Sequence, residues 1–168
     1  RGMIFDLRFN GGGLVDSAVK VIDEILPKGR IVSLQLKNQP EQVYDSDDEK
    51  SLDMPIAVLV SGRTASAAEI FSAAIKDNHY GTLIGYKTYG KGVVQSSSTL
   101  QDGSVISITS GKYLTPSGES IHKKGIEPDI ELEFDYLGDN MGSYDEMYDN
   151  QVLKAIEVIN NSSNLQIS

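Results

Sequence analysis

The chain has 168 residues, long enough to bury a real core within one domain. Asp and Glu number 24 against 15 Lys and Arg, a net charge of −9, which argues against nucleic acid as the main partner because phosphate binding needs basic patches. There is no cysteine, which removes disulfides and thiol catalysis, and no apolar run long enough to cross a bilayer, so no membrane contact is expected of this stretch.

Arg1-Gly2 lead straight into an apolar strand at 3–7, with no initiator methionine before it, and the sequence reads as a piece of a longer protein. Asn10 and three glycines follow. Leu14, Ala18, Val21, Ile22, Ile25 and Leu26 then recur at helical spacing, and Pro27 and Gly29 stop that helix. Residues 31–36 alternate as a strand, and the polar, acidic stretch 37–53 reads as a hairpin or loop. Residues 56–60 form a second apolar strand, after which a helix runs to about Asp77. A short strand is predicted at 82–85. Strands at 93–100 and 104–109 flank Asp102-Gly103, a strong hairpin signal. One more strand is expected at 130–134 and a terminal helix at 151–159, where Val152, Ala155, Ile156 and Ile159 share a face. The acidic residues of 41–53 and 127–149 are read as solvated loops and faces. The order of elements predicts an α/β domain over 1–160 with at least one crossover unit, followed by a frayed tail at 161–168.

Three constellations could carry chemistry. Ser66 lies at a helix start among small residues, with Glu69 three positions later. That pattern fits a capping box, in which serine is only an N-cap. It equally fits a nucleophile, because a helix N-terminus supplies unpaired N–H donors and a positive dipole end for an oxyanion. Lys91 sits between Gly90 and Gly92, whose lack of side chains lets this backbone approach another segment closely. A lysine acts as a general base only when neutral, and in water only about 1 in 2,500 is neutral at pH 7. Burial must therefore lower its pKa, and a neutral amide such as Gln95, on the same side of an extended strand, could hold the amine without recharging it. Asn10-Gly11-Gly12-Gly13, at a strand-to-helix junction, reads as a tight turn, a phosphate cradle or an oxyanion donor.

Residues 85–92 fit a phosphate-loop pattern except at Gly92, where a Ser or Thr would bind Mg²⁺, and a strand rather than a helix is predicted to follow. His79 and His122 offer a base for a Ser-His-Asp triad, but both fall in polar or charged segments. As a metal site the two histidines lack a third ligand.

Taken together, DLRFNGGG at 6–13, SGRTASAAEIFSAAIKD at 61–77, GYKTYGKGVVQ at 85–95 and YLTPSGESIHKKGIEPDI at 113–130 resemble the carboxyl-terminal processing (tail-specific) proteases of the S41 serine peptidase family. The resemblance covers roughly 2–134. It implies a ClpP/crotonase-like α/β core with a mixed β-sheet and flanking helices. It places the nucleophile on Ser66, the general base on Lys91 and the lysine-orienting glutamine on Gln95. The oxyanion donors fall on the backbone of Ala67 and of Gly12 or Gly13, and Gly11 stands where the family usually has proline. The implied activity is cleavage of protein or peptide substrates near their C-termini through an acyl-enzyme, with no metal or other cofactor. A PDZ domain and an extracytoplasmic setting are expected of the full-length protein, self-assembly into a homo-oligomer stays open, and this piece alone is expected to be weakly active or inactive. Two rivals remain at this stage. One is a non-catalytic peptidase-like module that binds peptides or assembles with partners. The other is a crotonase-fold enzyme acting on acyl thioesters.

Overall fold

The computed structural model describes residues 1–47, 50–138 and 144–165. Its elements are β1 (Met3–Asp6), α1 (Val15–Asp23), β2 (Gly29–Leu36), β3 (Gln42–Ser46), β4 (Ile56–Val60), α2 (Ala67–Asp77), β5 (Thr82–Gly85), β6 (Val93–Thr99), β7 (Val105–Leu114), β8 (Ile130–Glu131), a short 3-10 turn (Glu146–Tyr148) and α3 (Asn150–Leu165). The α/β class expected from the sequence is what the chain adopts. Its strands divide into two sheets, one parallel in the order β1-β4-β5-β8 and one antiparallel in the order β3-β2-β7-β6.

The parallel sheet is buried on both faces, which explains why its strands read as unbroken apolar runs. Along β4, Ile56, Val58 and Val60 point to one side, into the main core with Ile22 of α1, Ile70, Phe71 and Ile75 of α2, and Ile31, Val32 and Leu34 of β2. Ala57 and Leu59 point to the other side, where they meet Ile84 of β5 and Ala155 and Ile159 of α3. Helices α1 and α2 therefore sit between the sheets, while α3 closes the outer face. α3 continues to Leu165, beyond the Asn160 at which the sequence suggests an end, and the last three residues of the expected tail lie outside the described residues.

A buried ion pair ties α3 to the opposite end of the chain. Arg8 bonds Asp149 at 2.7 Å, Asp6 at 2.6 Å and the side-chain Oε1 of Gln151 at 3.1 Å, and Asp149 also accepts the Tyr144 hydroxyl at 2.6 Å. The Arg8 carbonyl accepts the Ser61 hydroxyl, and the Leu7 carbonyl accepts Thr64 Oγ1 at 2.7 Å. The end of β1 is thus stitched to the loop that enters α2.

Candidate active site

α2 begins one residue after Ser66, and Ser66 holds φ +58° with ψ −122°. An L-residue rarely adopts a positive φ, and holding one costs on the order of 1–3 kcal/mol, so the surrounding structure must impose it. Serine is the N-cap the sequence suggests, and Glu69 reaches back to accept the Ser66 N–H at 2.9 Å. The same carboxylate does much more. It is fully buried, and it also accepts the Lys91 N–H at 2.8 Å, the Gly90 N–H at 2.7 Å and the Thr88 hydroxyl at 2.5 Å. Thr88 Oγ1 in turn accepts the Ile126 N–H at 2.8 Å. Sequence reasoning saw Glu69 only as half of a capping box. Its position three residues into a helix was the signal, but the donors that surround it arrive from a loop some twenty residues later, and only the fold reveals them.

Those donors also settle the phosphate-loop reading. The N–H groups of Gly90 and Lys91, which such a loop would offer to a phosphate, already hold the chain's own carboxylate, and β6 follows rather than a helix. The Lys91 backbone is fixed beside the start of α2, held by close contacts at the flanking glycines. A Cβ on Gly90, at φ +87°, would lie 2.8 Å from Gly125 N, and one on Gly92 would lie 2.6 Å from His122 N. The side chain of Lys91 is exposed, as is that of Gln95. β6 starts only at Val93, so strand alternation covers Gln95 but not Lys91.

The glycine turn comes directly against Ser66. Gly12 has φ +93°, and a Cβ there would meet Ala65 O at 2.5 Å, Ala67 N at 2.8 Å and Ser66 Cβ at 2.8 Å, all too close for any side chain. The Gly12 N–H is taken by Asn10 Oδ1 at 2.9 Å, and the Ala65 N–H donates to the Asn10 carbonyl at 3.0 Å. No hydrogen bond among the described residues engages the Gly13 N–H. Ala67 is the first residue of α2, where an N–H has no partner within the helix. Beside this pair lies an open cleft of about 290 Å³, lined by Phe5, Leu7, Leu14, Ala18, Val21 and Phe71 among others.

His79 lies at the far end of α2 from Ser66. His79, at φ +54°, is the left-handed residue that ends α2, with its N–H on Lys76 O at 2.9 Å and the Tyr80 N–H on Ile75 O at 3.0 Å. Eleven helical residues separate it from Ser66, a rise of about 16 Å. His122 is exposed, and no metal-ligating cluster occurs among the described residues.

The chain is similar to known proteins in sequence and in fold. A model of peptidase family S41 matches residues 1–132. A Staphylococcus aureus (strain COL) protein named "Probable CtpA-like serine protease" is 42% identical over 134 residues, which cover 78% of this chain and 27% of that protein. The structure of a photosystem II D1 C-terminal processing protease aligns with a TM-score of 0.72 at 36% identity, covering 79% of this chain and 34% of that one. A lipoprotein from Streptococcus agalactiae shares the fold, with a TM-score of 0.66 at 23% identity over 78% of this chain and 50% of that one. The chain thus spans about a quarter to a third of the length of the Staphylococcus aureus protein and of the photosystem II D1 processing protease. The family match embraces the strained serine, the glycine turn and the Glu69 hub, and the chain belongs to peptidase family S41.

Proposed function

We propose that this chain is the catalytic part of a serine endopeptidase that cleaves protein substrates near their C-termini with a Ser66–Lys91 dyad. The observation that carries the reading is the strained Ser66 at the N-terminus of α2, linked through one buried carboxylate to the backbone of Lys91. Neutral Lys91 takes the proton of Ser66 Oγ as that oxygen bonds to the scissile carbonyl carbon. The resulting oxyanion is held by the N–H groups of Ala67 and Gly13, with Gly12 as the close-packed pivot between them. Lys91 returns the proton to the departing amine. Water then attacks the acyl-enzyme, giving its proton to Lys91, which passes it back to Ser66. Gln95 orients the lysine amine. The apolar cleft beside the glycine turn takes a hydrophobic substrate side chain next to the scissile bond.

Lys91 is exposed in this span, so this role requires a cover that desolvates it. Bound substrate, or the rest of a protein of the relatives' length, would supply that cover. We place the protein outside the cytoplasm, in the cell envelope. A PDZ domain elsewhere in the full-length protein would present the substrate's C-terminus.

The test is cleavage of an unstructured protein by wild type, Ser66→Ala and Lys91→Ala, all confirmed folded. Loss in both variants supports the dyad. Retained cleavage in both would leave the dyad structural and return the non-catalytic binding reading.

A further inference from the structure

Two apolar cavities lie end to end along β1. The first is the cleft of about 290 Å³ beside the glycine turn, walled on the strand side by Phe5 and Leu7. The second, of about 620 Å³, is walled by Met3 and Phe5 together with Ile25 and Leu52. Phe5 and Val21 line both, so the two form one groove that starts at Gly12 and Gly13. Met3, Phe5 and Leu7 are successive residues on one face of an extended chain, spaced about 7 Å apart. The cavities therefore repeat at the two-residue period of a strand. Their walls are set by the core: Phe5 packs on Phe71 with ring centroids 5.0 Å apart, and the Leu52 N–H donates to the Ile25 carbonyl at 3.0 Å.

β1 is also the edge of its sheet, paired only with β4 among the described residues. Met3 and Leu7 give their N–H groups to that side, to Pro55 O at 3.0 Å and Leu59 O at 2.9 Å. Alternation turns the backbone groups of Ile4 and Asp6 to the open side, where they are free to pair with another extended chain.

Resting on the dyad reading above, we propose that polypeptide substrate lies as an added strand along the open edge of β1 and is selected by two apolar side chains spaced two residues apart. One fills the cleft next to the scissile bond, and the other fills the cavity of Met3, Phe5, Ile25 and Leu52. Substrate is the occupant because the groove is continuous with the reaction centre. Gly12, Gly13 and Ala67 belong to the wall of the first cavity, so a chain whose scissile carbonyl meets the oxyanion donors already lies at the mouth of the groove. Main-chain bonds to Ile4 and Asp6 supply affinity for any sequence, and the paired cavities supply the choice.

The experiment uses the longest form of the protein that carries this chain, with its Ser66→Ala, Met3→Glu and Val21→Glu variants, and the 168-residue chain itself. The peptides are unstructured. Each has leucine on one flank of the scissile bond and leucine or serine two residues further out on the same flank, and both flanks are sampled. On one flank the second leucine should raise kcat/KM about tenfold or more. That ratio should fall toward one in Met3→Glu and in Val21→Glu. Val21 is 50% exposed, so a charge there leaves the core in place. Thermal unfolding and phosphonate labelling of Ser66 accompany every variant. Equal cleavage of the leucine and serine peptides on both flanks would overturn the proposal, as would a preference that persists in both glutamate variants. A preference present in the 168-residue chain but absent from the longer form would mean that another segment of the protein fills the groove, which overturns it too. Turnover that survives Ser66→Ala would instead overturn the dyad itself, so the two failures are distinct.

Discussion

Ser66 and Lys91 donate their backbone N–H groups to one and the same oxygen, Oε2 of Glu69, at 2.9 and 2.8 Å. The two segments meant to exchange a proton are therefore held to a common point that neither side chain occupies. Ser66 keeps its unusual backbone angles partly because its N–H is aimed at this buried charge.

Glu69→Gln should separate the effects of shape and charge. The amide has nearly the same size, but its NH₂ would face backbone donors and strand at least one of them. We expect a loss of about 3 kcal/mol, with the melting temperature falling about 6–12 °C. Labelling of Ser66, measured well below that temperature, should fall by about 100-fold because the serine and the lysine loop lose their shared anchor. Calorimetry and labelling on the same sample would check both.

The glycine turn offers a paired test. Gly12→Ala puts a methyl group against the backbone of Ala65 and Ala67 and forces alanine to a φ of +93°. Turnover should drop by about 100-fold or more, since one oxyanion donor is worth about that much. Gly11→Ala has nothing within 4 Å of its new Cβ. It should leave turnover near wild type and raise stability by about 0.5 kcal/mol through a less flexible unfolded chain. Equal effects at the two positions would contradict the close approach at Gly12.

Asp149→Asn tests the strut between α3 and β1. Removing the charge takes away the buried carboxylate and leaves Asp6, half exposed, as the charged partner of Arg8, so the cost at neutral pH should lie below the ~3–5 kcal/mol of leaving a buried charge unpaired. Burial by itself would raise the Asp149 pKa, but hydrogen bonds from Tyr144, Arg8 and the Val152 backbone outweigh it and hold the group below the ordinary aspartate range. A carboxylate depressed in the folded state stabilises the protein fully above its unfolded pKa and loses that contribution as pH falls through the folded value. The stability gap between wild type and variant should thus be constant above about pH 5 and narrow below pH 4. Urea unfolding at several pH values would show it.

The exposed Lys91 side chain predicts that the 168-residue chain alone turns over unstructured protein slowly. Adding the remaining length found in its relatives should raise the rate. Equal rates would mean that substrate by itself covers the lysine.

Much of this architecture is legible in the sequence because strong local patterns agree with the fold. The apolar runs of β1, β4 and β5 are continuous because both faces of their sheet are covered. Asp102-Gly103 marks the β6–β7 hairpin, where Asp102 caps the turn by accepting the N–H and hydroxyl of Ser104. β3 lies in the acidic stretch that reads as a hairpin or loop and pairs antiparallel with β2; its bounds are not legible because it is an edge strand with mostly exposed side chains and no hydrophobic alternation. β7 runs five residues past its expected end at Thr109, carried by pairing to β2 rather than by local pattern. In the site, Ser66, Lys91 and the glycine turn stand out by residue type. Glu69 does not, because what distinguishes it is which distant groups surround its buried carboxylate.

The helix α3 has one more consequence. The recognisable family stretch ends at residue 132, yet Ala57, Leu59 and Ile84 on the central sheet are covered by side chains from α3, and Arg8 beside the glycine turn is neutralised by Asp149 at its start. A protein trimmed to the edge of the homology would keep every residue by which it is classified and lose half of what seals its sheet. The unit that evolution labels and the unit that folds end at different places along this chain.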